Sequence, residues 1–546
     1  MIKNFTKVFS FLTLVGALSA NAQQFQVSQD LSGDDYGNRI LVDVNGSLNI
    51  IGATSATGAG SYDMMLEGLS SVGAHQGGGQ LGGTGSETAR AVAGLTDGSS
   101  VIGGASNTLA PVLGLDDALV LKLDNTGSPD FYTVFGTDSV DRIFEVDEGN
   151  DASVLAAGQY SRSIGSNKSD GLVTKLDAAT GAVTWAKTIG FQFSNEVIYD
   201  FLPINGVGYA AIGYSGVNVI GLNDNLFFFL NEDGTKNSCF VFGGPGDDDA
   251  RSIMDNGTGK IYVAGNSRNI GQGSGEAFLA RFDVTAFPTI VLDWYKTYGE
   301  SGSESLQRAI YDPTSGGVLM VGTTASFGNG DEGFAVKVDA NGVIQWSKVY
   351  GGAAGDYFQD AALDGSGGFY LSGYSSSFGG TQSNLWLVKT DANGASLCNE
   401  SNATFIENTI SNTVAYADFT NAALNDIVST DITLTTRNSS AFAFNQNTPT
   451  ANILCSTVGV QEVSSSAISV YPNPAGETLN FNFGVNAADA KGMVIYNALG
   501  AKVYETTLSN VTSVFSADIS NLANGMYTAV VFMNNTQVTA KFTVAK

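Results

Sequence analysis

The chain has 546 residues, of which 14% are charged and 43% hydrophobic, with 68 glycines, a turn-rich globular composition rather than a disordered one. Its formal net charge of −27 excludes the basic face that nucleic acid requires and argues against anionic lipid surfaces. No segment beyond the N-terminal leader reaches the roughly 18 apolar residues that span a bilayer as a helix.

In chain order, the first element is an export signal. Lys3 and Lys7 make a positive n-region, residues 8–18 an apolar h-region, and Ala20-Asn21-Ala22 an A-x-A site, with cleavage expected between Ala22 and Gln23. An exported chain permits disulfides, and Cys398 and Cys455 are expected to form one. Cys239 opens the strand-like run 239–242 and reads as a small buried apolar residue.

A repeat of about 53 residues then occurs seven times. One series of acidic or amide residues precedes an apolar run in every copy: Asp63, Asp117, Asp170, Asp224, Glu276, Glu332 and Asn384. Gly82, Gly136, Gly190, Gly243, Gly299 and Gly351 mark the boundaries. The copy 299–350 shows the internal plan, with strands expected at 306–311, 318–322, 333–338 and 343–350, separated by Gly/Asn/Asp turns. Four strands per unit at this period predict a propeller blade. The seventh copy lacks a good fourth strand, and Phe25-Gln26-Val27-Ser28 is expected to supply it beside Leu387, closing the ring.

The repeat resembles bacterial secreted β-propeller repeats, most clearly in Trp346-Ser347-Lys348-Val349-Tyr350-Gly351-Gly352, Lys337-Val338-Asp339 and Lys389-Thr390-Asp391. The run from Leu176 to Trp185 also resembles the tryptophan motif of quinone-dependent dehydrogenase propellers. Here Trp185, Trp294 and Trp346, with Phe131, read as inter-blade packing.

Residues 396–465, rich in Thr, Ser, Asn and Ala, read as a disulfide-tied β segment ending in a linker. The final stretch carries Tyr471-Pro472-Asn473-Pro474, then Gly500, then Gly525-Met526-Tyr527, then Lys541 close to the end. These elements, in this order, resemble the type A C-terminal sorting domain of the type IX secretion system. The resemblance implies an immunoglobulin-like β-sandwich that engages the secretion machinery and is removed by a sortase. The expected fold is therefore all-β: a seven-bladed β-propeller over 23–395, a small β segment over 396–465, and a sandwich over 466–546.

His75 is the single histidine and is expected in a loop, which removes Ser-His-Asp catalysis and multi-histidine metal sites. A second acidic series falls at the entry to each first strand: Asp35, Glu87, Asp141, Asn195, Asp248, Glu304 and Asp356. Clustered carboxylates there would suit a hard cation such as calcium. The same side chains would equally cap the backbone N–H groups of their own turns. Aromatic and basic residues on the expected loop face are Tyr160, Arg162, Phe193, Tyr214, Arg268, Phe327, Tyr357, Tyr374 and Phe378, of which Tyr160, Tyr214, Phe327, Tyr357 and Tyr374 suit glycan or protein contact. The functional expectation is a secreted or outer-surface binding module of a Gram-negative bacterium. The alternatives are a carboxylate-dependent polysaccharide hydrolase or lyase and a structural surface component.

Overall fold

The computed structural model describes residues 24–546 except 44, 57–60, 109–114, 163–167, 192–193, 205, 218–219, 272, 329, 381, 411–414, 419–427, 432–435, 438–442, 447–448, 457–468, 484–489, 498–500, 509–512 and 533–536. The signal and its cleavage residues Ala22 and Gln23, together with Phe193 and Gly500, lie outside the described residues. The chain divides into two compact units, Met1–Thr457 and Val458–Lys546.

Among the described residues, the first unit contains seven five-stranded antiparallel sheets. Blade 1 opens with Asp35–Val42, Leu48–Thr54, Asp63–Leu69 and His75–Gly82, and blade 6 with Glu304–Asp312, Gly317–Thr324, Glu332–Val338 and Ile344–Tyr350. The innermost strands of successive blades neighbour one another, and that of blade 1 meets that of blade 7, so the ring is closed. Closure is direct: the Ile40 N–H donates to Asp360 Oδ2 at 2.9 Å.

Burial follows position in the blade. Third strands are the most buried, and Asp117–Leu123, Asp224–Leu230 and Asn384–Thr390 are buried along their whole length. Both faces are covered, which explains apolar runs such as Leu226-Phe227-Phe228-Phe229-Leu230 in place of strict alternation. Inner strands alternate between buried and half-buried residues because one side lines the central channel.

The N-terminal strand Phe25–Asp30 lies in blade 7 with Val27 opposite Leu387, the register expected from the sequence. It is the fourth strand and not the outermost. Among the described residues, the segment after the last repeat forms no sheet of its own. Its short strands each add a fifth, outer strand to a blade. Glu400–Asn402 joins blade 6, Ile406–Thr409 blade 5, Ala415–Asp418 blade 4 and Val428–Asp431 blade 3. Thr436–Arg437 joins blade 2, Ala443–Gln446 blade 1, and Thr450–Ser456 pairs with the N-terminal strand in blade 7. The chain thus travels once around the ring building blades and once back covering their edges. Alternating but short strands lacking an apolar face cannot hold a core, and their backbone groups pair with the blade edges instead.

Cys398 and Cys455 are bonded, with Cα atoms 6.2 Å apart, which ties the start of this belt to its end. Cys239 takes no part in a disulfide and is buried.

Among the described residues, the second unit has a three-stranded and a four-stranded sheet. Leu479, Phe481 and Ala517 from the first and Met493, Ile495, Ala529, Val531 and Phe542 from the second share one core. Motif residues bind its parts together. Asn473 Oδ1 accepts the Thr543 N–H at 2.8 Å, and Tyr527 stacks on Phe542 with ring centroids 5.6 Å apart. Tyr471 and Lys541 are exposed.

Because the Cys398–Cys455 bond spans 57 residues of sequence, loop-closure entropy predicts that Cys398→Ser lowers unfolding free energy by about 4 kcal/mol. Urea unfolding without reductant measures this, and dithiothreitol should bring the native chain to the same midpoint.

Candidate functional site

The inner acidic series closes the turn that enters each blade. Asp35 accepts the Leu31 N–H at 2.8 Å and the Thr54 hydroxyl at 2.5 Å. Glu87 accepts Gly83 N–H and the Ser106 hydroxyl, both at 2.8 Å. Asp141 accepts Thr137 N–H at 2.6 Å and Ser161 N–H at 2.7 Å. Glu304 accepts Glu300 N–H at 3.1 Å and the Thr324 hydroxyl at 2.8 Å, while Asp248 and Asp356 accept Gly244 and Gly352 N–H at 2.7 Å. In blade 4 the residue doing this is Glu196, not Asn195. It accepts Phe191 N–H at 3.1 Å and the Ser215 hydroxyl at 2.8 Å.

Each of these side chains therefore serves its own blade as a link between loop and second strand. Among the described residues, no group of three or more His, Cys, Asp or Glu side chains is placed to hold a metal ion. The outer series lies close by. A Cβ built on Gly82 would fall 2.1 Å from Asp63 Oδ1 and 2.9 Å from Glu87 Oε2, which is why the boundary position is glycine. At the Asp170–Glu196 pair, Arg162 bridges both carboxylates.

The central channel is organised by a β-bulge repeated in all seven blades. The inner-to-second-strand register slips between Gly37 and Arg39, Ala89 and Ala91, Ile143 and Glu145, Ile198 and Asp200, Ala250 and Ser252, Leu306 and Arg308, and Phe358 and Asp360. A bulge inserts one unpaired residue and re-aims its neighbours. One layer formed this way is ionic. Arg308 reaches from blade 6 to Glu145 Oε2 and Asp200 Oδ2, each at 3.1 Å, and to Asp360 Oδ1 at 3.7 Å. Arg39 adds a contact to Glu145 at 3.6 Å. Burial opposes charge on Arg308, but Asp200, Glu145 and Asp360 outweigh it and hold the guanidinium firmly protonated. Burial also raises the Asp200 carboxyl, with Arg308 pulling it back down.

Four of the inserted residues form a second layer, an arc of two rings flanked by two cations. Arg90 lies 5.5 Å from the Phe144 centroid, Phe144 and Tyr199 are 5.2 Å apart edge to face, and Arg251 sits 4.1 Å over Tyr199. Tyr214, expected on the loop face, joins this arc 6.0 Å from Tyr199.

A second aromatic group stands where blades 7 and 1 meet. Tyr357 and Tyr374 stack at 4.7 Å, Tyr36 meets Tyr374 edge-on at 4.7 Å, and Tyr62 lies 6.1 Å from Tyr36. Tyr357 donates to Asp331 Oδ2 at 2.9 Å. Burial pushes the Tyr36 and Tyr357 hydroxyls up to about 12, so both remain donors. All four rings are partly exposed. Tyr36 follows Asp35 as Tyr357 follows Asp356, one shared repeat position.

Other expected contact residues turn inward. Tyr160 packs against the core between blades 2 and 3, and Phe327 lies 5.1 Å from Phe405 at the start of the belt. Phe378 lies 5.8 Å from Trp386. Arg268 is largely exposed, 3.8 Å from Asp247. His75 is not in a loop: it begins the fourth strand of blade 1 and its Nδ1 lies 2.6 Å from Glu67 Oε1.

Fold and site define a β-propeller whose inner strands are linked by ion pairs, with a small two-sheet C-terminal unit. Residues 469–545 match the secretion system C-terminal sorting domain. The chain carries a type IX secretion sorting domain and is a secreted or surface-attached protein of a Gram-negative bacterium. No helix among the described residues is long and apolar enough to cross a membrane. No curated protein matches the chain. Among solved structures, similarity is found to a quinohemoprotein alcohol dehydrogenase from Comamonas testosteroni, at 11% identity and TM-score 0.36 over 67% of this chain and 76% of that one. It is also found to a GH43_12 protein retrieved from a capybara gut metagenome, at 9% identity and TM-score 0.26 over 96% and 95%. Neither likeness bears on activity.

Desolvation raises Asp35 to about 6 and Glu67, Glu196 and Asp248 to about 7. A carboxyl whose folded value is raised stabilises the fold below its unfolded value, near 4, and that stability is lost as pH climbs through the folded value. Unfolding free energy should therefore be larger at pH 5 than at pH 8, by several kcal/mol. Urea titrations at fixed ionic strength measure it, and Glu196→Gln should flatten the slope.

Proposed function

We propose that the protein is exported through the type IX pathway and acts outside the cell as a glycan-binding propeller. On this reading residues 1–22 direct passage across the inner membrane. The sorting domain then engages the outer-membrane machinery and is removed by a sortase. The observation that carries the binding role is the group of Tyr36, Tyr357 and Tyr374, whose rings gather at the face where the inter-blade loops enter the channel. Partly exposed rings offer flat apolar faces to sugar rings, and the tyrosine hydroxyls and Asp331 offer hydrogen-bonding groups at their margin. Arg308 already engages Glu145, Asp200 and Asp360. That arrangement favours a structural use of those carboxylates over an acid–base pair.

The test is retention of the purified chain on a panel of immobilised polysaccharides. Selective retention is expected, and Tyr374→Ala or Tyr36→Ala should weaken it about tenfold, roughly 1.4 kcal/mol. Retention that survives both substitutions, or no retention on any polysaccharide, counts against the reading. For export, a chain ending at residue 457 should accumulate in the periplasm while the full chain reaches the medium or cell surface, as cell fractionation would read.

A further inference from the structure

The chain has 52 acidic residues against 25 basic ones, so a buried arginine has carboxylates in abundance to pair with. Arg142 holds Asp116, Arg251 holds Asp249, Arg281 holds Asp293 and Arg308 holds three carboxylates. Arg39, Arg162 and Arg268 also have a carboxylate oxygen within ion-pair distance, the longest pair being Arg268–Asp247 at 3.8 Å. Arg90 is the exception among the arginines whose side chains are described. No carboxylate among the described residues pairs with it, and its buried Nε has no hydrogen-bond partner.

Arg90 is the residue that the bulge of blade 2 inserts. Its neighbours come from the inner strands of blades 1, 3 and 4. The guanidinium lies 5.5 Å from the Phe144 centroid, and Arg142, Arg39 and Tyr199 are close enough to act on its charge. Burial works against that charge most. Arg142 and Arg39 repel it, and Asp116 offsets only part of this, so the guanidinium holds its proton less firmly than usual. Asp116 is itself engaged by Arg142, which donates to it from Nε at 2.9 Å and also from Nη2. Arg251 shows the contrast: it has a ring closer, Tyr199 at 4.1 Å, and a carboxylate besides. A desolvated cation without a counter-ion is unfavourable. An anion brought to Arg90 gains an attraction for which no residue of the chain competes.

Arg90 also adjoins the strand that carries Tyr36. Asn38, two residues beyond Tyr36, donates from Nδ2 to the Ala89 carbonyl oxygen at 2.7 Å, one residue before Arg90. On the other side of Arg90, Phe144 and Tyr199 are half-buried rings.

We infer that the glycan taken by this face is an acidic one, whose carboxylate or sulfate group pairs with Arg90. The inference rests on the glycan reading of the tyrosine group and adds the class of sugar. The planar guanidinium offers such a group two parallel N–H donors. Phe144 and Tyr199 offer apolar faces to the sugar ring that bears it, and burial keeps the Tyr199 hydroxyl protonated as a further donor.

The test compares matched polysaccharides. Immobilised polygalacturonate is set against its neutral methyl ester, and a sulfated galactan against its desulfated form, which separates the two sources of negative charge. The net charge of −27 opposes nonspecific retention of the full chain on a polyanion, so a preference for the acidic member reports a local site. The acidic member of at least one pair is expected to bind about tenfold more tightly than its neutral form. Arg90→Gln should abolish that preference, and Arg90→Lys, which keeps the charge without the paired donors, should weaken it. Arg90→Gln should also melt no lower than the native chain, because Arg90 has no carboxylate partner to lose. If it does not fold, Arg90→Lys decides. Equal binding within both pairs, or a preference that Arg90→Gln and Arg90→Lys leave unchanged, overturns the inference alone. No retention on any polysaccharide, acidic or neutral, overturns the glycan reading with it.

Discussion

The fold depends on what happens to backbone hydrogen-bonding groups at open sheet edges. A ring of separate sheets has an outer edge on every blade and a seam where the chain ends meet. Unpaired N–H and C=O groups along such edges invite pairing with other chains. This protein removes both exposures with its own termini. The N-terminal strand enters blade 7, and the belt covers the outer edge of each blade with a further strand. Apolar packing between blades then has a rigid frame, and side chains such as Trp386 and Phe358 can stack at 4.7 Å without solvent reaching them.

The same repeat produces both scaffold and chemistry. Positions that every blade shares, the inner carboxylates and the boundary glycines, are consumed by turn closure. Positions that the repeat leaves variable carry individuality. The bulge on each inner strand delivers one extra residue, whose type varies around the ring: Arg90, Phe144, Tyr199 and Arg251 in blades 2 to 5. Seven copies of one backbone irregularity thus create a non-repeating interior surface.

Much of this was legible in the sequence, for identifiable reasons. The period, the turn glycines and the third-strand apolar runs report local backbone needs that recur seven times, so strand order and ring closure follow from them. The sorting domain carries four separated motif elements. The belt was not legible, because strands such as Glu400–Asn402 are three residues long and take their stability from an edge far away in sequence. The bulge was equally hidden, since one inserted residue leaves composition unchanged and only shifts pairing. Glu196 is displaced from the repeat spacing because the loop before blade 4 is one residue longer, which puts Asn195 at the expected position. Phe327 and Tyr160 looked like loop contacts, yet their burial is decided by neighbours in other blades.

The belt and its disulfide also determine how the propeller would carry mechanical load. Phe25 pairs with Ser456, so the two ends of the first unit leave from the same edge of blade 7. A pull on the chain beyond Ser456 reaches Cys455 almost at once. From there tension passes through the Cys398 bond into the end of the last repeat rather than along the belt. Strands held by two to seven residues each would otherwise peel away one blade at a time. With the bond in place, a tether at this end strains a covalent link and leaves all seven edges covered.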